Sequence, residues 1–396
     1  MLASRATDCA SGQPIAGGVG ATSRARSHHG RLDVPRTRRP AERRVRLADV
    51  AREAGTSEST ASRALKDDPR IGESTRAAVH ASAASLGYVP NAAARSLRAR
   101  RTHILGLLLD DLADPVHGQL AAGFEEAAAG QGYAVFMMTG LHDLAREHRA
   151  LRAFVEHRAD GIALASCVSE PETIFAQMPR SRTVFVQPDH PGMADVGALD
   201  RGALQSDDAA GVIELVRHLL DRGYRRLAYV GAGGGPSDGA RQAAAAAALD
   251  GLVGEPLRVY DAGLAGWRDP TRVAELIASD RPDAAICYDD KLALALMDTL
   301  RLTPVDVPGD LAVTGFDGIA QAARSRPRLT TVAVPSVELG RRAVGMLIAS
   351  MRDGAAPPSE TMPVRLVVGE TTPPRTDPMG SDRDVVSVAA SAGGRA

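Results

Sequence analysis

Only three cysteines occur in the 396 residues, Cys9, Cys167 and Cys287, without CxxC spacing, and an odd number cannot pair completely. That excludes a disulfide-stapled fold and fits a reducing cytoplasm better than an export route. Aromatic residues are scarce at 3%, with a single tryptophan. No window approaches the roughly 18 continuous apolar residues of a membrane span. The first 40 residues, rich in Arg, Gly, Ser and Pro, also lack the apolar run of a signal peptide. No membrane partner is expected. The ten histidines form no HExxH pattern or ligand cluster, so neither a metal nor any other cofactor is expected. Lysine is nearly missing: of 47 basic residues only Lys66 and Lys291 are lysine. Arginine is therefore a chain-wide preference, and an arginine alone is no argument for phosphate or guanine recognition.

What is present is an ordinary globular composition, 44% hydrophobic and 24% charged, long enough for two or three cores. The net charge of -1 conceals a split. Residues 1–101 hold 19 basic and 9 acidic side chains, and residues 102–396 hold 28 and 39, so a piece at +10 precedes a body at -11.

Residues 1–44 show no helical or strand period and are expected to form a disordered basic extension. From Leu47 the pattern turns helical, with Leu47, Val50, Ala51 and Ala54 on one face, and it stops at Gly55, which tolerates a left-handed turn. After Thr56 and Ser57, both able to cap, a second short helix places Ala61, Ala64 and Leu65 inward. Two helices joined by a glycine-containing turn make a helix-turn-helix, and a third helix carrying Val79, Ala83 and Leu86 completes a small core over 45–90. Tyr88, Val89, Pro90 and Asn91 break that helix. A basic, helix-competent linker follows to residue 101, carrying Arg95, Arg98, Arg100 and Arg101.

Across 102–373 short apolar runs alternate with amphipathic stretches. Strands are expected at 104–109, 133–138, 161–165, 183–186, 227–231, 257–260, 284–288, 311–316 and 330–334. Helices are expected near 117–130, 143–158, 208–222, 239–250, 270–279, 291–301 and 336–352. This alternation predicts parallel sheets covered on both faces, and about 270 residues is long for one sheet, so two doubly wound α/β subdomains with a ligand cleft between them are expected. Residues 374–396 read as a disordered tail.

The stretch Leu47-Ala-Asp-Val-Ala-Arg-Glu-Ala-Gly-Thr-Ser-Glu-Ser-Thr-Ala-Ser-Arg-Ala-Leu closely resembles the DNA-binding signature of the lactose-repressor (LacI/GalR) family of bacterial transcription regulators. The likeness continues through Leu86-Gly-Tyr-Val-Pro-Asn91, Ala94-Arg-Ser-Leu97, Asp207-Asp-Ala-Ala-Gly211, Val313-Thr-Gly-Phe-Asp317 and Pro327-Arg-Leu-Thr-Thr331, covering about residues 45–373. The resemblance implies a periplasmic-binding-protein-like body, a homodimer and a two-fold symmetric double-stranded DNA operator. It implies that Ser57, Glu58, Ser59, Thr60 and Arg63 of the second helix face the major groove. Physics agrees: a helix N-terminus offers free N–H groups to a phosphate, and Arg63, two turns on, can reach a guanine edge. Glu58 among phosphates is repulsive unless it accepts from a cytosine amine.

The resemblance further implies that the segment after Asn91 becomes a hinge helix (91–101) on DNA. There Leu97 wedges into the minor groove, small Ala94 lets two hinges approach, and arginines such as Arg98 follow the phosphates. In the body it implies that Arg241, Asp317, Asp289 and Gln187 bind a small effector, a sugar or sugar derivative, all at strand ends or the turns after them. The family's Asn-Pro-Phe-Phe is replaced by Asp114-Pro-Val-His117, so an aromatic wall is missing and His117 is the candidate to replace it. Arg46 and Gly72 stand where capping side chains are usual, which predicts a more easily frayed first helix.

Two enzyme readings fail. Gly235-Pro-Ser-Asp-Gly239 matches the nucleophile elbow, but that fold needs a histidine after the serine and the last one here is His218. Gly231-Ala-Gly233-Gly-Gly235 begins a dinucleotide fingerprint, yet its third required glycine is Pro236. The expectation is a non-enzymatic, ligand-controlled transcription regulator, most simply a repressor. The alternative is a small-molecule sensor whose head binds DNA only nonspecifically, motivated by Glu58 and the missing caps.

Overall fold

Three short helices open the described part of the chain. The structure, a computed structural model, describes residues 45–89, 101–188, 202–250, 256–263 and 269–375. The basic extension, the hinge positions Asn91, Ala94, Leu97 and Arg98, and nearly all of the expected tail lie outside the described residues. The chain divides into two compact units after Pro90.

The first unit holds α1 (Leu47–Glu53), α2 (Glu58–Ala64) and α3 (Glu73–Ser85). Its core is Val50, Ala51, Ala61, Ala64, Val79 and Ala83, with Leu47, Leu65, Leu86 and Tyr88 packed around it. Four of those six are alanine, and small side chains let helices this short approach closely enough to exclude water. Gly55 takes a φ of +63° in the turn between α1 and α2, a backbone state open to glycine at little cost. The missing side-chain cap at Arg46 is compensated: the Asp49 carboxylate accepts from the Arg46 amide at 2.9 Å, half of a capping box. Gly72 makes no side-chain cap for α3.

The second unit contains two six-stranded sheets. The first joins β1 (Ile104–Leu109), β2 (Ala134–Thr139), β3 (Gly161–Ala165), β4 (Thr183–Val186), β5 (Ala203–Ser206) and β11 (Glu360–Met362), all parallel, in the order β11-β5-β4-β3-β1-β2. The second joins β6 (Leu227–Gly231), β7 (Arg258–Asp261), β8 (Ala284–Cys287), β9 (Ala312–Asp317), β10 (Thr330–Ala333) and β12 (Arg365–Val367), in the order β12-β10-β9-β8-β6-β7, with only β12 antiparallel. Strands buried on both faces explain the apolar runs. In β1, Leu105, Leu107 and Leu109 enter one core cluster while Leu108 enters another on the opposite face.

Helices α4 (Pro115–Gly130) and α12 (Ser336–Asp353) cover one face of the first sheet, and α5 (Leu144–Glu156) and α6 (Pro171–Phe175) the other. Helices α7 (Asp208–Asp221) and α8 (Pro236–Leu249) cover one face of the second sheet, with α9 (Thr271–Asp280), α10 (Asp290–Leu300) and α11 (Ala320–Arg324) on the other. The largest cluster is shared, running from Phe124 and Leu339 through Val212 and Leu215 to Tyr229 and Phe316. Helices α4 and α12 meet at two glycines. A β-carbon on Gly123 would lie 1.9 Å from the Val337 carbonyl oxygen, and one on Gly340 would lie 2.1 Å from that of Leu120.

The two lobes are interleaved in sequence. The chain passes from the first to the second between β5 and α7, returns between β10 and α12, and crosses again between β11 and β12. All nine strands and all seven helices expected of the body are present. Additional are β5, β11 and β12, of three or four residues each, and the five-residue helices α6 and α11.

Candidate functional site

Within the head, Ser57 is the N-cap of α2, and its Oγ accepts from the Thr60 amide at 3.1 Å. The Ser57 hydroxyl also lies 2.9 Å from both Ser59 Oγ and Thr60 Oγ1, so three hydroxyls cluster at the helix start. Ser57, Glu58, Ser59 and Arg63 are exposed and Thr60 is half-buried, while Ala61 and Ala64 face the core. The polar residues singled out by sequence thus share the outward side of α2, with free helix-start N–H groups among them.

In the body the site is set by topology. Leaving out β11 and β12, each sheet has the doubly wound order 2-1-3-4-5, whose switch point lies between its first and third strands. In the first lobe the loops after β1 and β3 diverge there, and His117 joins them: its Nε2 lies 3.1 Å from Ser166 Oγ and its Nδ1 3.0 Å from the Asp111 carbonyl oxygen. In the second lobe the turns after β6 and β8 are joined by Ser237 Oγ, 2.9 Å from the Tyr288 hydroxyl, and by Arg241, which donates to the Tyr288 carbonyl at 2.7 Å.

Arg241 is the hub. It is buried, donates from Nε to Asp208 Oδ2 at 2.8 Å, and its Nη2, also 2.8 Å from that oxygen, lies 3.8 Å from Asp317 Oδ1. The guanidinium lies 3.8 Å from the Phe316 ring centroid and 4.8 Å from that of Tyr288. Burial works against its charge, but Asp208, then Tyr288 and Asp317, more than offset this and hold its pKa above the ordinary value. Asp317 takes a φ of +105° at the end of β9. Burial pushes its carboxyl well above the usual range; Arg241 opposes this, and Asp289, Asp290 and Asp114 add to it.

Asp289 caps α10, its Oδ1 accepting from the Leu292 amide at 2.7 Å, while its Oδ2 lies 3.4 Å from Lys291 Nζ. Gln187, at a φ of +47°, donates to Ser206 Oγ at 2.7 Å and accepts from the Ser206 amide at 2.6 Å. The Ser206 hydroxyl in turn donates to Asp208. A continuous polar chain therefore runs Gln187–Ser206–Asp208–Arg241–Asp317, from the first lobe to the second through the β5–α7 crossover. Lys291 bonds to Asp114 across the lobes. Of the five body residues predicted from sequence, Gln187, Arg241, Asp289 and Asp317 fall in this neighbourhood, and His117 lies at the first lobe's switch point against Asp111 and Ser166. Sequence reasoning missed Asp208, Lys291, Ser166 and Tyr288 as site members.

Ser237, the serine of the elbow-like motif, shares a hydrogen bond with the Tyr288 hydroxyl. No group of histidines, cysteines and carboxylates suited to a metal occurs among the described residues. No helix of the described residues is long and apolar enough to cross a membrane.

A helix-turn-helix head preceding two doubly wound lobes, with a polar network between the lobes, defines a DNA-binding regulator with a ligand-binding body. Comparison with known proteins agrees. Residues 46–91 match bacterial regulatory proteins of the lacI family, and residues 216–372 match the periplasmic binding protein-like domain. The HTH-type transcriptional regulator GalR of Escherichia coli (strain K12) is 30% identical over 319 residues, covering 76% of this chain and 88% of GalR. The ribose operon repressor of the same strain is 31% identical over 314 residues, covering 76% of this chain and 92% of the repressor. The lac repressor dimer bound to operator and the anti-inducer ONPF shares the fold, with a TM-score of 0.73 at 22% identity over 83% of this chain and 99% of that one. The chain belongs to the lacI family and is a transcriptional regulator.

Proposed function

We propose that this regulator is a repressor that reads a two-fold symmetric operator as a homodimer, and that a small polyhydroxylated effector, a sugar or sugar derivative, controls it from between the two lobes. One observation carries the effector half. Arg241 is held between Asp208 and Asp317 of the second lobe, and Asp208 is linked through Ser206 to Gln187 of the first at the β5–α7 crossover, so a hydroxyl-rich ligand there touches both lobes and biases their relative orientation. A differential affinity of about 1 to 3 kcal/mol between two orientations changes operator affinity by roughly 5- to 150-fold. The cleft works by binding rather than catalysis.

On the DNA side, Ser57, Glu58, Ser59, Thr60 and Arg63 are the base and phosphate readers of one half-site. Asn91, Ala94, Leu97 and Arg98 form the hinge contact. A solved structure of the same fold is a complex of the transcriptional regulator CelR with cellobiose, which supports a sugar as the effector class. The test is selection of bound duplexes from a random pool by the purified full-length protein at near-physiological salt, with and without a sugar panel. Enrichment of a symmetric site is expected. Salt-steep binding without enrichment under every condition would instead make the protein a sensor with a nonspecific head.

A further inference from the structure

The two-lobed body carries a charged crosslink whose parts come from opposite sides of the cleft. Asp114 belongs to the first lobe, where it is the N-cap of α4: its Oδ1 accepts from the Val116 amide at 2.8 Å. Its second oxygen is free of the helix and receives Lys291, in the first turn of α10 of the second lobe. Lys291 also lies 3.4 Å from Asp289 of its own lobe, so one ammonium sits between two carboxylates, one from each side. Beside this contact Val116, of the first lobe, packs against the outer apolar cluster of the second.

The residue types are informative. Nearly every basic residue of this chain is arginine, yet the one in this crosslink is lysine, whose compact ammonium can be shared between two carboxylates where a planar guanidinium would demand a wider, flatter gap. Both side chains of the pair are largely screened from water, at 30% and 16% exposed, so the attraction is weakened by salt less than a surface pair would be.

We propose that Lys291 and Asp114 form a latch that holds the two lobes together when the cleft holds no effector. The latch requires only the two lobes; its bearing on DNA affinity rests on the regulator reading given above. Under that reading, an effector that reaches Arg241 and Asp317 also competes with Lys291 for Asp114 and Asp289. It must bring hydrogen-bond donors to replace the ammonium, which favours hydroxyl- or amine-bearing molecules over anionic ones.

Asp114→Asn separates the latch from folding, because asparagine caps a helix as well as aspartate does while carrying no charge. Spin labels on Arg149→Cys and Leu302→Cys, one on each lobe and both exposed, report the lobe-to-lobe distance by pulsed electron resonance in a Cys9→Ser background of the full chain. Cys167 and Cys287 are buried. Without effector, the parent is expected to give one narrow short-distance peak. Asp114→Asn and Lys291→Met should each lose that peak to a longer, broader distribution, and the exchange Asp114→Lys with Lys291→Asp should restore it in part. An unchanged peak in both single variants overturns the latch. A change with Lys291→Met but not Asp114→Asn overturns it equally, since that assigns the effect to Asp289 within one lobe. Because no DNA is present, failure here is distinguishable from failure to find an operator.

Discussion

Asp290 sits in the first turn of α10 with no exposure to solvent, its Oδ2 accepting from the Ile319 amide at 2.8 Å and its Oδ1 without a hydrogen-bond partner. Burial is the main cause of a pKa pushed up to about 7, with Asp289 adding to it against the Thr331 hydroxyl and the Ile319 and Gly318 amides. In the unfolded chain the same carboxyl titrates near 3.8. Between those values the folded protein binds more protons than the unfolded one. The stability this group contributes is thus complete below about pH 4 and lost as pH rises through about 7, a change of roughly 4 kcal/mol at most. Asp290→Asn should remove that loss. Urea unfolding of both proteins at pH 5 and pH 8 is expected to show the variant gaining on the parent at the higher pH; a constant difference would mean that Asp290 is ionised in both states.

At the same scale, Asp317→Ala is expected to abolish release from a selected operator by its effector while leaving operator affinity unchanged. Fluorescence anisotropy of labelled operator with and without the effector checks this. Arg241 and Asp317 could be named from the sequence because Asp317 closes an apolar strand inside a recognisable stretch and Arg241 follows a strand-to-helix turn. Lys291 was not, because its partner Asp114 lies 177 residues away and no local pattern announces a contact across a cleft.

At the α4–α12 crossing two backbones come into direct contact. Gly123 and Gly340 let the two backbones touch, and a methyl group at either would meet a carbonyl oxygen rather than a side chain able to swing aside. Gly340→Ala should therefore destabilise despite its better helix propensity, by about 1–3 kcal/mol for overpacking. Thermal unfolding of the variant measures this, and a raised midpoint would show that the helices separate freely. Neither glycine stood out in the sequence, since an amphipathic pattern reports which face is buried and not how near the neighbour lies. The short strands β5, β11 and β12 escaped notice for a related reason. At three or four residues, with polar positions such as Gln205, Glu360 and Arg365, their place is fixed by the edge they pair with and not by a hydrophobic run.

For the whole molecule, the charge split between a basic leading segment and an acidic body predicts that DNA attracts the first and repels the second. Replacing Leu97 with Gly should remove most of the preference for the selected operator over random DNA while keeping salt-sensitive binding. Competition binding at two salt concentrations measures this, and unchanged preference would refute the minor-groove wedge. Fold class was legible at this scale from the alternation of apolar runs and amphipathic stretches alone. The order of the strands and the three crossovers were not, because periodicity identifies elements without saying which sheet each one joins.

Those crossovers bear on how the protein is made. The first lobe is begun at β1 but lacks α12 and β11 until residue 362 has been added, by which point the second lobe wants only β12. On the ribosome the first lobe cannot close until the second is nearly complete, so a nascent chain halted anywhere between β5 and α12 exposes the apolar face of the first sheet that α12 would cover. Synthesis thus couples completion of the two lobes: prematurely terminated chains should be cleared as unfolded protein, and should not accumulate as a DNA-binding head on half a sensor.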